Sequence, residues 1–119
     1  GGHMSQEFRR ARRRKAHEPI PVTDAMTGEV IGQIGNLSES GMLLLANQPL
    51  VNDALYQFRF PLEAPDGRPS ELEIGAHLLW SDEAQAPGQH WIGFRFIGQG
   101  EAQLRQLRAW VKAPGSQYA

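Results

Sequence analysis

Cysteine is absent from these 119 residues, which excludes a disulfide framework, thiolate catalysis and any cysteine-ligated zinc site. The lack of cysteine suits a reducing compartment, and a cytoplasmic location is expected. No apolar run approaches the length that crosses a bilayer, and no signal-like apolar segment precedes the basic residues near the start, so membrane insertion is not expected. His17, His77 and His90 are scattered, with no carboxylate at metal-ligand spacing, so no metal site is expected. Ser38 and Ser40 stand outside any G-x-S-x-G context, and Asp82-Glu83 has no nucleophile beside it in sequence. With no catalytic set to name, an enzyme is the least favoured class and catalytic residues are none.

What the chain does have is arginine, concentrated in one place. Arg9 to Lys15 reads Arg-Arg-Ala-Arg-Arg-Arg-Lys, six basic residues in seven with no acid among them. The remainder holds six basic residues against thirteen acidic ones, a net charge of −7. An acidic body with a concentrated basic arm implies one local anionic partner, not a surface that coats nucleic acid generally.

Gly1-Gly2-His3 ahead of Met4 reads as a remnant of recombinant expression, so residues 1–3 and His3 carry no argument. Residues 4–19 show no apolar periodicity and run into Pro19 and Pro21, which favour extended backbone; a flexible arginine-rich arm is expected there. From Ile20 the chain is built of short β-like runs: Ile20–Ala25, Glu29–Leu37, Gly41–Ala46, Ala54–Phe60, Leu72–Trp80 and His90–Ile97. Met26-Thr27-Gly28 suits a hairpin turn, Pro61–Ser70 reads as a turn, and Ser81–Gln89 links the last two strands. Tyr56, Phe58 and Phe60 alternate with Gln57 and Arg59, and the glycines of the second run suggest a bulge or a close backbone approach. Six short strands at this spacing favour a small barrel, since closure removes edges. Leu104, Leu107 and Val111 then form one helical stripe from about Glu101 to Lys112, ended by Pro114-Gly115. Residues 20–112 are therefore expected as an all-β-dominated barrel with a C-terminal helix packed on it, and 113–119 as a tail.

Two segments carry the functional reading. Arginine forks donate paired hydrogen bonds to phosphate oxygens or to a guanine O6/N7 edge, and their flat faces stack on bases. Twenty-two positions after Arg14 comes Asn36-Leu37-Ser38-Glu39-Ser40-Gly41, a polar turn opening onto the apolar run Met42–Leu45. An Asn or Ser before a strand is ordinarily a turn former, and glycine at such a place ordinarily supplies a positive φ. Functionally, Asn36 could accept from a guanine edge, Ser38 could bond base or phosphate, and Gly41 would let the backbone bend close to a ligand.

An RxxxR pair followed about twenty residues on by [Asp/Asn]-x-Ser-x-x-Gly and an apolar strand resembles the PilZ domain, a bacterial receptor for cyclic di-GMP. Ala76–Ser81 resembles the family's late strand, and Trp91–Ile97 with Leu104–Arg108 resembles its closing strand and terminal helix, so the likeness runs from Arg9 to Val111. The resemblance implies a six-stranded barrel that binds cyclic di-GMP on its outer surface beneath a folding arm. It implies ligand contacts from Arg10 and Arg14, with Arg9 as the extra arginine and Arg9/Arg13 as a competing register. Asn36, Ser38 and Gly41 match the second motif, Gly35 lies beside it, and Trp80 matches the family's base-stacking position. Asn36 stands where Asp is commoner, which removes a charge-assisted bond to guanine.

The expected function is thus a non-catalytic adaptor with cyclic di-GMP as ligand, no cofactor, no specific nucleic acid, and an unidentified protein partner. A nucleic-acid module using the basic arm and a nucleotide-independent PilZ-type adaptor are the alternatives. The acidic body and the lack of basic–aromatic interleaving in the strands speak against the former.

Overall fold

The computed structural model describes residues 11–64 and 66–119. Arg9 and Arg10, both expected in the site, lie outside the described residues. Seven strands and one helix follow in order: β1 (Arg14–Lys15), β2 (Pro21–Asp24), β3 (Val30–Leu37), β4 (Gly41–Ala46), β5 (Leu55–Glu63), β6 (Pro69–Glu83), β7 (His90–Ile97) and α1 (Glu101–Lys112).

Six of these strands close on themselves. All pairs are antiparallel, and the neighbours run β3-β2-β5-β6-β7-β4, with β4 returning to β3. The two-residue β1 is added at the far end of β3, Arg14 opposite Leu37 and Lys15 opposite Asn36. The six-stranded antiparallel barrel with a C-terminal helix is therefore the architecture, as expected.

Strands β5 and β6 are longer than in the sequence reading. Strand β5 continues through Pro61 to Glu63, and β6 begins at Pro69, so the turn shrinks to the residues between them. Pairing with β2 stops at Arg59, so beyond it β5 has a neighbour on one side only. A sheet edge is where a missing backbone donor is tolerated. Strand β6 also runs past Trp80 to Glu83, paired with β7 as far as His90.

The core follows the alternation. Phe58 and Phe60 of β5, Leu72, Ile74, Ala76 and Leu78 of β6, and Ile92, Phe94 and Phe96 of β7 are buried, with Val22, Ile31, Ile34, Leu37, Met42 and Leu44 completing the ring. Phe58 meets Phe94 edge-on at 4.9 Å between ring centres, a favoured aromatic geometry.

Helix α1 lies at the end of the barrel made by the β3–β4 turn, the β5–β6 hairpin and the close of β7. Its stripe of Leu107, Trp110 and Val111 joins the same core. Polar side chains hold its flanks: Gln103 donates to the Glu73 carbonyl (2.5 Å), Gln106 to the Ser70 hydroxyl (2.7 Å), and Arg108 pairs with Glu39 (3.0 Å). The Glu39 carboxylate raises the Arg108 guanidinium above its ordinary pKa, through a hydrogen bond and charge attraction. That shift lies in the strongly alkaline range, so the titration of Arg108 gives stability no pH dependence near neutrality. Among the described residues no helix is long and apolar enough to cross a membrane, and no cluster of metal-ligating side chains occurs.

Candidate functional site

Strict alternation would turn two of the expected site residues inward. Ile34 is buried, so Asn36, two positions on, belongs inside; Leu78 is buried, so Trp80 belongs inside as well. Each is rescued by one extra residue. The β3–β4 register slips between Ile34 and Asn36, with Gly35 as the extra residue, and the β6–β7 register slips between Leu78 and Trp80, with Leu79 as the extra residue. Both slips invert the phase that follows. Asn36 emerges half-buried on the outer face while Leu37 takes the core position, and Trp80 emerges 48% exposed.

The two outward residues share one shallow concavity of about 240 Å³, together with Arg13, Leu43, Leu79 and Gly93. It lies across β3, β4, β7 and β6 on the outside of the barrel. Trp80 is opposite Gly93, and its indole occupies the space where a Cβ at Gly93 would be, so the glycine is the floor that admits the ring. Arg13 closes the third side by donating from Nη1 to the Asn36 Oδ1 at 3.2 Å. A cation, an amide and an exposed indole thus face one hollow beside apolar Leu43 and Leu79. That set can stack on a planar ring, bond its polar edge and attract an anion.

Ser38 sits differently. It is fully buried, and its hydroxyl accepts the backbone N–H groups of Ser40 and Gly41, both at 3.1 Å, and lies 3.3 Å from the Gly41 carbonyl, to which it donates. Its own N–H donates to that carbonyl at 2.9 Å. In this structure Ser38 shapes the turn between β3 and β4. Gly41 departs from the expectation of a positive φ: it is extended strand backbone, and a Cβ there would strike the Phe94 carbonyl across the β4–β7 pair. Close approach, not turn geometry, requires glycine at this position.

Arg14 faces the opposite way from Arg13. Successive strand residues point to opposite sides, and the Arg14 guanidinium lies 4.2 Å over the Trp110 ring and donates to the Trp110 carbonyl at 2.5 Å. It therefore serves the C-terminal end of α1, where the helix dipole favours a cation and the Trp110 carbonyl also accepts the Ala113 N–H. Arg14 also lines a larger groove, about 510 Å³, between residues 14–20, the β5–β6 hairpin and Trp110. That groove holds none of Asn36, Ser38, Gly41 or Trp80, so the smaller concavity is the better candidate. Sequence reasoning did not single out Leu43, Leu79 and Gly93. A glycine midway along an aromatic-rich strand, Trp91-Ile92-Gly93-Phe94, was the available signal for a ring lying across it.

Comparison with known proteins bears on the fold and the family. No curated protein sequence matches the chain. Among solved structures, the PilZ domain with c-di-GMP of YcgR from Escherichia coli superposes with a TM-score of 0.64 at 20% identity, covering 85% of this chain and 87% of that one. YcgR of Escherichia coli in complex with c-di-GMP gives 0.64 at 22% identity over 84% of this chain. The Bacillus subtilis inhibitor of motility (MotI/DgrA) gives 0.67 at 12% identity over 87% of this chain. This chain spans only 43% and 49% of those two longer structures. At such identities the likeness is one of fold. The family model described as PilZ domain matches residues 7–113, nearly the whole chain, and the chain is a member of the PilZ domain family.

Proposed function

We propose that this chain is a non-catalytic, cytoplasmic receptor for cyclic di-GMP that passes its signal to a protein partner by changing the surface it presents. The observation that carries this reading is the convergence of Arg13, Asn36 and Trp80 on one outer-surface hollow, reached through two strand bulges. The solved structures of YcgR with c-di-GMP supply the ligand class.

In the proposed complex a guanine stacks on Trp80 and meets Asn36 along its polar edge, and Arg13 takes a phosphate or the O6/N7 edge. The hollow is smaller than the roughly 300–1,000 Å³ of pockets that enclose a ligand. One base enters it, and the remainder of the dinucleotide lies over the rim; Arg9 and Arg10 remain proposed ligand contacts. Between the two arginine registers, Arg9/Arg13 is the one supported by the side on which Arg13 lies. Gly35 acts by aiming Asn36, while Ser38 and Gly41 hold the turn that carries β3 into β4.

Calorimetric titration with cyclic di-GMP tests this directly. The expected result is saturable binding that Trp80→Ala and Asn36→Ala each weaken at least fivefold; the absence of binding to the wild type at low salt sinks it. A nucleotide-independent adaptor is the second reading, favoured by the engagement of Arg14 with Trp110 and of Ser38 with its own turn. The same titration separates the two, and competition with a single-stranded oligonucleotide tests the nucleic-acid alternative.

A further inference from the structure

The described arginines of the run face two ways. Arg13 faces the ligand hollow, whereas Arg12 and Arg14, on either side of it, face the C-terminal segment. The Arg12 guanidinium lies 4.3 Å over the Tyr118 ring and that of Arg14 lies 4.2 Å over Trp110. Backbone bonds tie the same two stretches together. The Lys15 N–H donates to the Gln117 carbonyl at 2.8 Å, the Ala119 N–H donates to the Arg13 carbonyl at 2.9 Å, and Arg14 bridges Tyr118 antiparallel. Tyr118 is itself anchored, its hydroxyl donating to the Val111 carbonyl at 2.8 Å. Residues 13–15 are thus clamped between the end of β3 and residues 117–119.

We propose that the segment around Tyr118 is a positioning element for the ligand site: by clamping Arg12 and Arg14 it aims Arg13 at Asn36, and ligand occupancy in turn tightens the clamp. The proposal rests on the cyclic di-GMP reading and extends it to a segment on another side of the arm from the hollow. The Arg14 Nε is buried without a hydrogen-bond partner, so the clamp is not fully satisfied. In the proposal the clamp has a closed and an open state. A ligand that contacts Arg13 only when the clamp is closed shifts that population. Linkage makes the effect reciprocal: whatever loosens the clamp weakens the ligand, and the ligand slows opening of the clamp.

Two measurements on the full chain test this. Cyclic di-GMP affinity is compared by calorimetry for wild type, Tyr118→Phe and Tyr118→Ala, each checked for the intact barrel by its amide spectrum. Tyr118→Phe keeps the ring beneath Arg12 and is expected within about threefold of wild type. Tyr118→Ala removes the ring and is expected to weaken binding by about 5- to 150-fold, the usual range of coupling between sites. Hydrogen exchange at the Lys15 and Ala119 amides of the wild type is expected to slow on saturation with cyclic di-GMP, which a purely structural Tyr118 would not produce. This second readout stands even if Tyr118→Ala fails to fold. Wild-type binding with unchanged exchange at both amides, or a folded Tyr118→Ala with wild-type affinity, overturns the clamp alone. A wild type that binds no cyclic di-GMP removes the ligand reading, and the coupling with it.

Discussion

Arg13 and Arg14 are neighbours with opposite surroundings, and their substitutions are expected to separate. Arg13→Ala should cut cyclic di-GMP affinity by the roughly 1–3 kcal/mol of one bidentate contact and leave the melting temperature nearly unchanged. Arg14→Ala should do the reverse in emphasis. It loses a partly desolvated cation–π contact worth up to about 2 kcal/mol and a charged bond at the helix end, offset in part by the unpaired Nε it removes. Any effect of Arg14→Ala on affinity would then come through the clamp. Calorimetry and thermal melts on the two variants decide this, and equal affinity losses with equal melts would mean that only the charge of the run matters. Ser38→Ala is a stability variant on this structure. It strands the buried Gly41 N–H, a cost of about 1–3 kcal/mol, and frees the part-buried Ser40 N–H, readable as a fall in the denaturant midpoint.

Among the elements, the two bulges decide where the candidate site residues Asn36 and Trp80 emerge. Strand β6 would carry Trp80 into the barrel without the extra residue at Leu79, and β3 would bury Asn36 without Gly35. Gly93→Ala tests the second half of this arrangement. Its methyl group would occupy the space of the Trp80 indole, so the ring must lift from the strand. Cyclic di-GMP affinity is expected to drop at least tenfold while the barrel stays folded, with a change in Trp80 indole resonance. Gly41→Ala meets the Phe94 carbonyl instead, which cannot swing aside as a ring can, and should lower stability outright. The β3 glycines were readable as a bulge or a close approach because glycine punctuates strands. The slip at Leu79 left no such mark, since leucine is unremarkable in either phase.

Taken whole, the chain is an acidic body with half of its basic residues on one short stretch. Binding of a dianionic dinucleotide there should fall clearly as salt rises from 50 to 500 mM, because exposed charges are screened beyond a distance of about 10 Å at 0.1 M and about 3 Å at 1 M. A salt-independent affinity would point to stacking on Trp80 as the dominant attraction. Helix α1 is reached from both sequence motifs: Glu39 of the turn pairs with Arg108, and Arg14 of the arm meets Trp110.

Composition, strand-length apolar runs and turn chemistry were enough to specify a closed barrel of six strands with a terminal amphipathic helix. Those are local properties, set by period and by backbone preference within a few residues. The RxxxR and Asn-x-Ser-x-x-Gly spacings likewise named the family. Which way each site residue points was decided elsewhere, in the pairing of strands distant in sequence. Asn36 depends on how β3 registers against β4, Trp80 on how β6 registers against β7, and Arg13 on a clamp made with residues more than a hundred positions away. A one-residue slip inverts every side chain beyond it, and only the folded partner strand determines where the slip falls.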